Sequence, residues 1–190
     1  MAQAAAQSAA QALSLLTHNR WALPILAKVR RDHGCKLVTL TRQLGASPAS
    51  VKRALTRLAE LDLVVRNPGY GHPMRPEYVL GGAGRGAAEL PGELVAWSAR
   101  IDPDVLNKWQ LPVLVALGPH VRRFGQVRGQ LPGATPRAVT LALKSHAALG
   151  LVSRRVQDGY PPSPIYVPTT LALGGREPAL HLGRLLASVG

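Results

Sequence analysis

Gly45-Ala46-Ser47-Pro48-Ala49-Ser50-Val51-Lys52-Arg53-Ala54-Leu55-Thr56-Arg57-Leu58 is the stretch on which the fold turns. Ser47 can accept a hydrogen bond from a free helix N–H, and Pro48 suits the first helical position, where a missing N–H is harmless. Val51, Ala54, Leu55 and Leu58 then recur at helical spacing, which predicts a helix with one apolar stripe. Upstream, Leu40 and Leu44 carry a second short helix that stops at Gly45. Before it, 35–39 reads as a short β segment after a Gly turn. Residues 20–31 read as a helix burying Trp21, Ile25, Leu26 and Val29, with Pro24 in its first turn. Downstream, 63–66 and 77–80 read as strands around the turn chemistry of Asn67-Pro68-Gly69-Tyr70-Gly71-His72-Pro73. Helix, tight turn, capped helix and hairpin together make a winged helix-turn-helix.

The pattern occurs twice, displaced by 88 residues. Asn19-Arg20-Trp21-Ala22-Leu23-Pro24-Ile25-Leu26 returns as Asn107-Lys108-Trp109-Gln110-Leu111-Pro112-Val113-Leu114, and Gly45-Ala46-Ser47-Pro48 as Gly133-Ala134-Thr135-Pro136. Ungapped comparison of 19–80 with 107–168 gives 21 identities in 62 positions, against roughly 5 expected from composition. In the second copy the helices fall at 108–117, 124–131 and 136–149, and the strands at 152–156 and 164–167 around Asp158-Gly159-Tyr160-Pro161-Pro162. The register slips by one where Pro132 is extra. Each copy ends in a further helix: 86–100 with Leu90, Leu94 and Trp97, and 178–189 with Leu180, Leu182, Leu185 and Leu186. The expected division is an N-terminal helix at 1–18, a first winged-helix unit at 19–100, a linker at 101–106 and a second unit at 107–190. The fold class is mainly α with small β-hairpins, an α+β chain of two tandem winged helix-turn-helix domains.

Lys and Arg number 23 against 10 Asp and Glu, a formal charge of +13. That balance suits a polyanionic partner, either nucleic acid or an anionic membrane surface. One cysteine, Cys35, excludes an internal disulfide framework and fits a reducing cytoplasm. No positive charge precedes Arg20, so a secretory signal is not expected, and no apolar run is long enough to span a bilayer. Cys35 reads as a small buried hydrophobe before a redox sensor. Gly81-Gly82-Ala83-Gly84-Arg85-Gly86 lacks the Gly-Lys-Ser/Thr of a phosphate cradle and reads as a hinge. The six histidines are dispersed, and no paired carboxylates or nucleophile motif occur. Neither metal, cofactor nor enzymatic activity is expected.

The second unit resembles the HxlR family of bacterial winged-helix regulators, a branch near MarR. Lys108-Trp109 before an apolar helix, Arg123-Phe124 entering the next and Leu131-Pro132-Gly133-Ala134-Thr135 carry the likeness. Leu149-Gly150-Leu151-Val152, Arg154, Pro161-Pro162, Ile165 and Tyr166 continue it. The first unit is similar through Trp21, Leu44-Gly45-Ala46-Ser47, Leu61, Leu63-Val64, Arg66 and Tyr78-Val79-Leu80. The resemblance implies double-stranded DNA binding, usually as a homodimer of single-unit chains. This sequence departs from it in holding two units, in placing Cys35 after the first helix, and in Pro168, where the family prefers Leu.

A winged helix lays its capped helix in the major groove, with the side chains opposite the buried stripe reaching base edges. The first unit offers Ser47, Ser50, Lys52, Arg53, Thr56 and Arg57; the second offers Thr135, Arg137, Thr140, Lys144 and Ser145. Leu141 stands in the place of Arg53, and His146 in that of Leu58. Arg66, Tyr70, His72 and Arg75 are wing candidates in the first unit, as are Arg154, Arg155 and Tyr160 in the second. Arg30, Arg31, Arg122 and Arg123 are further backbone-contact candidates. Trp21, Trp109, Tyr78 and Tyr166 read as core. The expected function is a transcriptional regulator, cytoplasmic and nucleoid-associated; the alternatives are an architectural DNA-binding protein without an operator and an interaction scaffold. The Ala-rich N-terminal and Leu-rich C-terminal helices look like mutual packing surfaces, so a homodimer with four winged helices is the expected assembly, although the duplication can itself replace dimerisation. The sequence names no small-molecule effector.

Overall fold

Each apolar stripe read above finds a partner, and the order of elements is nearly the same in both halves. The computed structural model describes residues 2–67, 77–87, 89–157 and 163–189. Helix α1 (Ala2–Leu16) leads into α2 (Ala22–Arg31), strand β1 (Cys35–Lys36), α3 (Leu37–Leu44) and α4 (Pro48–Glu60). Strands β2 (Val64–Asn67) and β3 (Glu77–Leu80), α5 (Gly82–Gly86) and α6 (Leu90–Ala99) complete the first half. A 3-10 turn, Pro103–Leu106, precedes α7 (Gln110–Leu117), β4 (Arg122–Arg123), α8 (Phe124–Gly129) and α9 (Pro136–Ala148). The chain finishes with β5 (Val152–Gln157), β6 (Ser163–Pro168) and α10 (Thr170–Val189). The molecule is mainly helical with small antiparallel sheets.

The two sheets have equivalent topology. Their orders are β1-β3-β2 and β4-β6-β5. Val64 pairs with Leu80 and Val152 with Pro168, a displacement of 88 on both strands. In the outer pairing Cys35 faces Tyr78 and Arg122 faces Tyr166, so β4 stands only 87 residues after β1. Cys35 lies 13 residues after Ala22, the start of α2, but Arg122 only 12 after Gln110, the start of α7, and Pro132 restores the count ahead of α9. This gives a structural origin for the register slip in the sequence.

Four expectations need correction. The first strand ends at Lys36 rather than continuing to Thr39, because Leu37 already begins α3. Gly81–Gly86 is no hinge: Gly82–Gly86 forms one helical turn, and Gly81 and Gly84 are buried. A Cβ on Gly84 would lie 2.0 Å from the Leu63 carbonyl oxygen, so this segment is fixed by close backbone approach. The helix expected over 86–100 therefore begins only at Leu90. The last helix starts at Thr170 and runs through Pro178, eight residues earlier than expected. The lost hydrogen bond at Pro178 is outweighed by packing.

That packing joins the halves. Helices α1, α6, α7 and α10 lie against one another, with Ala9, Leu13, Leu94, Trp97, Leu114 and Leu182 buried. Trp97 Nε1 donates to the Leu171 carbonyl at 3.0 Å, and the indole lies where a Cβ on Gly175 would come within 2.5 Å. Gly183 lets α10 approach the Ala9 carbonyl of α1 in the same way. The buried Thr17 hydroxyl lies 2.7 Å from Lys108 O and 2.8 Å from Leu13 O, tying the end of α1 to the second half. Helix α7, apolar all round, is buried along its length, whereas α2 keeps Arg30 and Arg31 in solvent.

Candidate nucleic-acid interface

Burying Val51, Ala54, Leu55 and Leu58 turns Ala49, Lys52, Arg53, Thr56 and Glu60 of α4 outward, and all five are exposed. The start of the helix is set by Ser47, whose Oγ accepts the Ser50 N–H at 3.2 Å. Ser50 and Arg57 lie at the edge of the outer face, half-buried. The Ser50 hydroxyl accepts from the Ser47 hydroxyl at 2.9 Å and from Arg53 Nη2 at 3.3 Å. Arg57 donates to Glu60 Oε2 at 2.7 Å. Lys52 and Arg53 pair with no carboxylate among the described residues.

Helix α9 repeats this arrangement with its charges moved. It buries Val139, Ala142, Leu143 and His146 and exposes Arg137, Thr140, Leu141, Lys144 and Ala148. Thr135 Oγ1 accepts the Ala138 N–H at 3.2 Å. The Thr140 hydroxyl donates back to the Pro136 carbonyl at 2.9 Å, which withdraws it from the outer face. Ser145 is half-buried. Arg137 and Lys144 take the positions of Ala49 and Thr56, while Leu141, 55% exposed, replaces Arg53. Among the described residues neither cation has a carboxylate partner.

In the hairpins, Arg66 is exposed opposite Tyr78. Arg154 and Arg155 are exposed opposite Tyr166 and Ile165, on alternate faces of the ribbon. Tyr70, His72, Arg75 and Tyr160 lie outside the described residues. The further candidates are engaged within the molecule: Arg30 with Glu89, Arg31 with Asp32, Arg122 with the Leu117 carbonyl and Arg123 with Gln157. Tyr78 and Tyr166 are partly buried against the core, as expected. Trp21 and Trp109 are partly buried too, but each carries a cation over its ring, Arg20 at 5.0 Å and Lys108 at 5.3 Å. The repeated Arg/Lys-Trp dipeptide was the available signal for that pair.

Two buried titratable groups bear on the site. His146 is fully buried inside α9, and neither ring nitrogen has a hydrogen-bond partner among the described residues. Burial pulls its pKa down to about 4, so the ring is neutral at ordinary pH. Cys35 is buried, and its thiol is pushed up to about 11, first by burial and then by the Asp32 carboxylate, whose Oδ2 accepts its S–H at 3.7 Å. A thiol so disfavoured as thiolate suits packing rather than redox chemistry.

Each 13-residue helix, capped and cationic on its outer side, has the dimensions of an element that enters the major groove, about 12 Å wide. Residues 104–178 match the HxlR-like helix-turn-helix family. That segment, 75 of the 190 residues, is similar to an HxlR-like helix-turn-helix. Over 71 residues the chain is 38% identical to an uncharacterised HTH-type transcriptional regulator of Synechocystis. The alignment covers 37% of this chain and 50% of that protein, so the chain spans about half the length of the curated relative. No helix among the described residues is long and apolar enough to cross a membrane.

Proposed function

We propose that this protein is a double-stranded DNA-binding transcriptional regulator in which one chain carries two winged helix-turn-helix reading heads. The observation that carries the reading is the pairing of two capped helices, α4 and α9, each cationic outside and each followed by a hairpin of identical register. The likeness of residues 104–178 to a helix-turn-helix family supports it for the second half. The 88-residue repeat extends it to the first. Lys52, Arg53 and Arg57 of α4, and Arg137 and Lys144 of α9, supply the groove contacts; Ser47 and Thr135 direct helix N-termini at phosphates, and Arg66, Arg154 and Arg155 hold the backbone. Ser50, Thr56, Thr140 and Ser145 flank these cations. Tyr70, His72, Arg75 and Tyr160 are assigned to the wing tips from sequence.

The helices offered in sequence for a second copy, α1 and α10, cover each other within the chain. This supports a single chain doing the work of a two-subunit regulator, in place of a four-headed homodimer, and light scattering decides between them. Location in the cytoplasm on the nucleoid follows from the proposed partner. Footprinting on genomic fragments is the test of function: discrete protected sites, weakening steeply with salt, are expected. Exposed Leu141 favours the second reading, an architectural protein without an operator, for which equal affinity at every sequence is the signature.

A further inference from the structure

A cavity of about 880 Å³ opens between the halves, within the roughly 300–1,000 Å³ typical of small-molecule sites. Arg20, Arg53, Arg57 and Lys108 reach it, together with Trp21 and Trp109, and none of its lining residues is Asp or Glu. Its walls are tied down. Asn19 Oδ1 accepts the Trp21 N–H at 3.0 Å while Asn19 Nδ2 donates to Ser50 O at 3.3 Å, fixing the α1–α2 turn to α4. Across the cavity, Thr17 holds the Lys108 carbonyl at 2.7 Å. A site held in this way loses little freedom when a ligand enters.

The charges point to the ligand. Of these four cations, Arg57 has Glu60 at 2.7 Å and Arg20 has Asp104 at 3.5 Å, while Arg53 and Lys108 have no carboxylate among the described residues. Two positive charges are left uncompensated beside two indoles. Resting on the regulator reading above, we propose that this cavity binds a nucleoside phosphate. The phosphate dianion bridges Arg53 and Lys108, and the base lies against the tryptophan-lined wall. Because Arg53 and Arg57 belong also to the DNA-facing side of α4, a bound nucleotide withdraws them from the duplex. Nucleotide and DNA then compete for the first reading head. The second head has no such coupling, since α9 contributes nothing to the cavity lining.

The test uses the full chain and tryptophan fluorescence, with adenosine and guanosine monophosphate as probes and adenosine and inorganic phosphate as controls. At least one monophosphate is expected to change the emission saturably, and both controls to bind at least tenfold more weakly. Lys108→Ala lies outside the proposed DNA contacts; it should weaken the nucleotide about tenfold and leave duplex affinity unchanged. Arg53→Ala should weaken both. Circular dichroism of each variant checks that the fold is retained, and Lys108→Arg should restore nucleotide binding. The proposal is overturned if neither monophosphate binds, if phosphate alone binds as well, or if Lys108→Ala binds nucleotide normally. It is equally overturned if only duplex DNA shields the tryptophans from acrylamide, for then the cavity is part of the DNA interface. Nucleotide binding that does not displace DNA removes the competition. Nucleotide binding by a chain that fails to bind any duplex removes the regulator reading and leaves the site standing.

Discussion

Helices α4 and α9 are the same element by sequence position, cap and length, yet they present different chemistry. On α4 the outer face carries Lys52 and Arg53 with Glu60 among them; on α9 it carries Arg137 and Lys144 with Leu141 exposed between. Underneath, Leu58 fills the core of one half and His146 that of the other. The comparison separates two kinds of position. Caps hold the fold and recur in kind, as with Ser47 and Thr135, and so does the buried stripe apart from His146 in place of Leu58. Outer positions are free to diverge, and on α4 and α9 they have diverged in charge and in exposed apolar surface.

The largest effect is expected where the halves differ in backbone approach. Gly84 lies against the Leu63 carbonyl, while its counterpart Ala172 accommodates a methyl group. Gly84→Ala should lower stability in urea unfolding by about 3 kcal/mol or more, and Ala172→Gly by only about 1 kcal/mol. Equal effects would mean that the two hairpin-to-helix crossings are packed alike.

Next comes the exchange of core residues. Leu58→His should cost about 2–3 kcal/mol, since it buries an imidazole in an apolar site. His146→Leu should stabilise by about 1 kcal/mol by removing one. The pH dependence has a definite sign. The folded-state pKa of His146, about 4, lies below its ordinary value of 6.5, so the neutral ring's contribution is complete above pH 6.5. It is lost as pH falls from there towards 4. Acid unfolding of His146→Leu should lack that component, and an unchanged profile would show that His146 is not the group responsible.

The outer faces are compared through DNA affinity. Arg53→Leu, which copies the second helix onto the first, should weaken binding about tenfold and reduce the salt slope by about one. Leu141→Arg should strengthen it severalfold by the reverse substitution. If the first change weakens binding and the second does nothing, α9 is a packing element and only one head reads DNA.

Much of this was legible in the sequence because it is local. Ser47 and Thr135 announce their helices, Gly45 takes the left-handed conformation at φ 61° that ends α3, and Glu77–Leu80, rich in strand-forming Tyr and Val, forms the strand β3. What escaped is tertiary. Arg122-Arg123 carries no strand signal, and β4 exists only because β6 lies beside it. Gly174, Gly175 and Pro178 argue against a helix, but Trp97 packs closely on Gly174 and Gly175 and α1 on Gly183, so α10 continues through them. The Gly81–Gly86 run has the composition of a hinge and the packing of a joint. The cavity exists only when the two halves are docked, so no single stretch of sequence contained it.

The smallest effect is expected at Cys35, where the second half has Arg122 opposite the equivalent tyrosine. With its thiol near pKa 11, Cys35 should resist iodoacetamide at pH 8 in the native state and react once urea unfolds the chain. Rapid native labelling would contradict its role as a packed side chain.

Hydroxyl-radical footprinting of the full chain on a duplex selected for tight binding, with stoichiometry measured on the same complex, tests the central claim most directly. One chain per duplex is expected to protect two stretches, separated by one helical turn of about 34 Å or a multiple of it. Arg137→Ala with Lys144→Ala should erase one stretch and leave the other. A single protected stretch untouched by that double change, or two stretches that require two chains, would contradict the two-headed monomer.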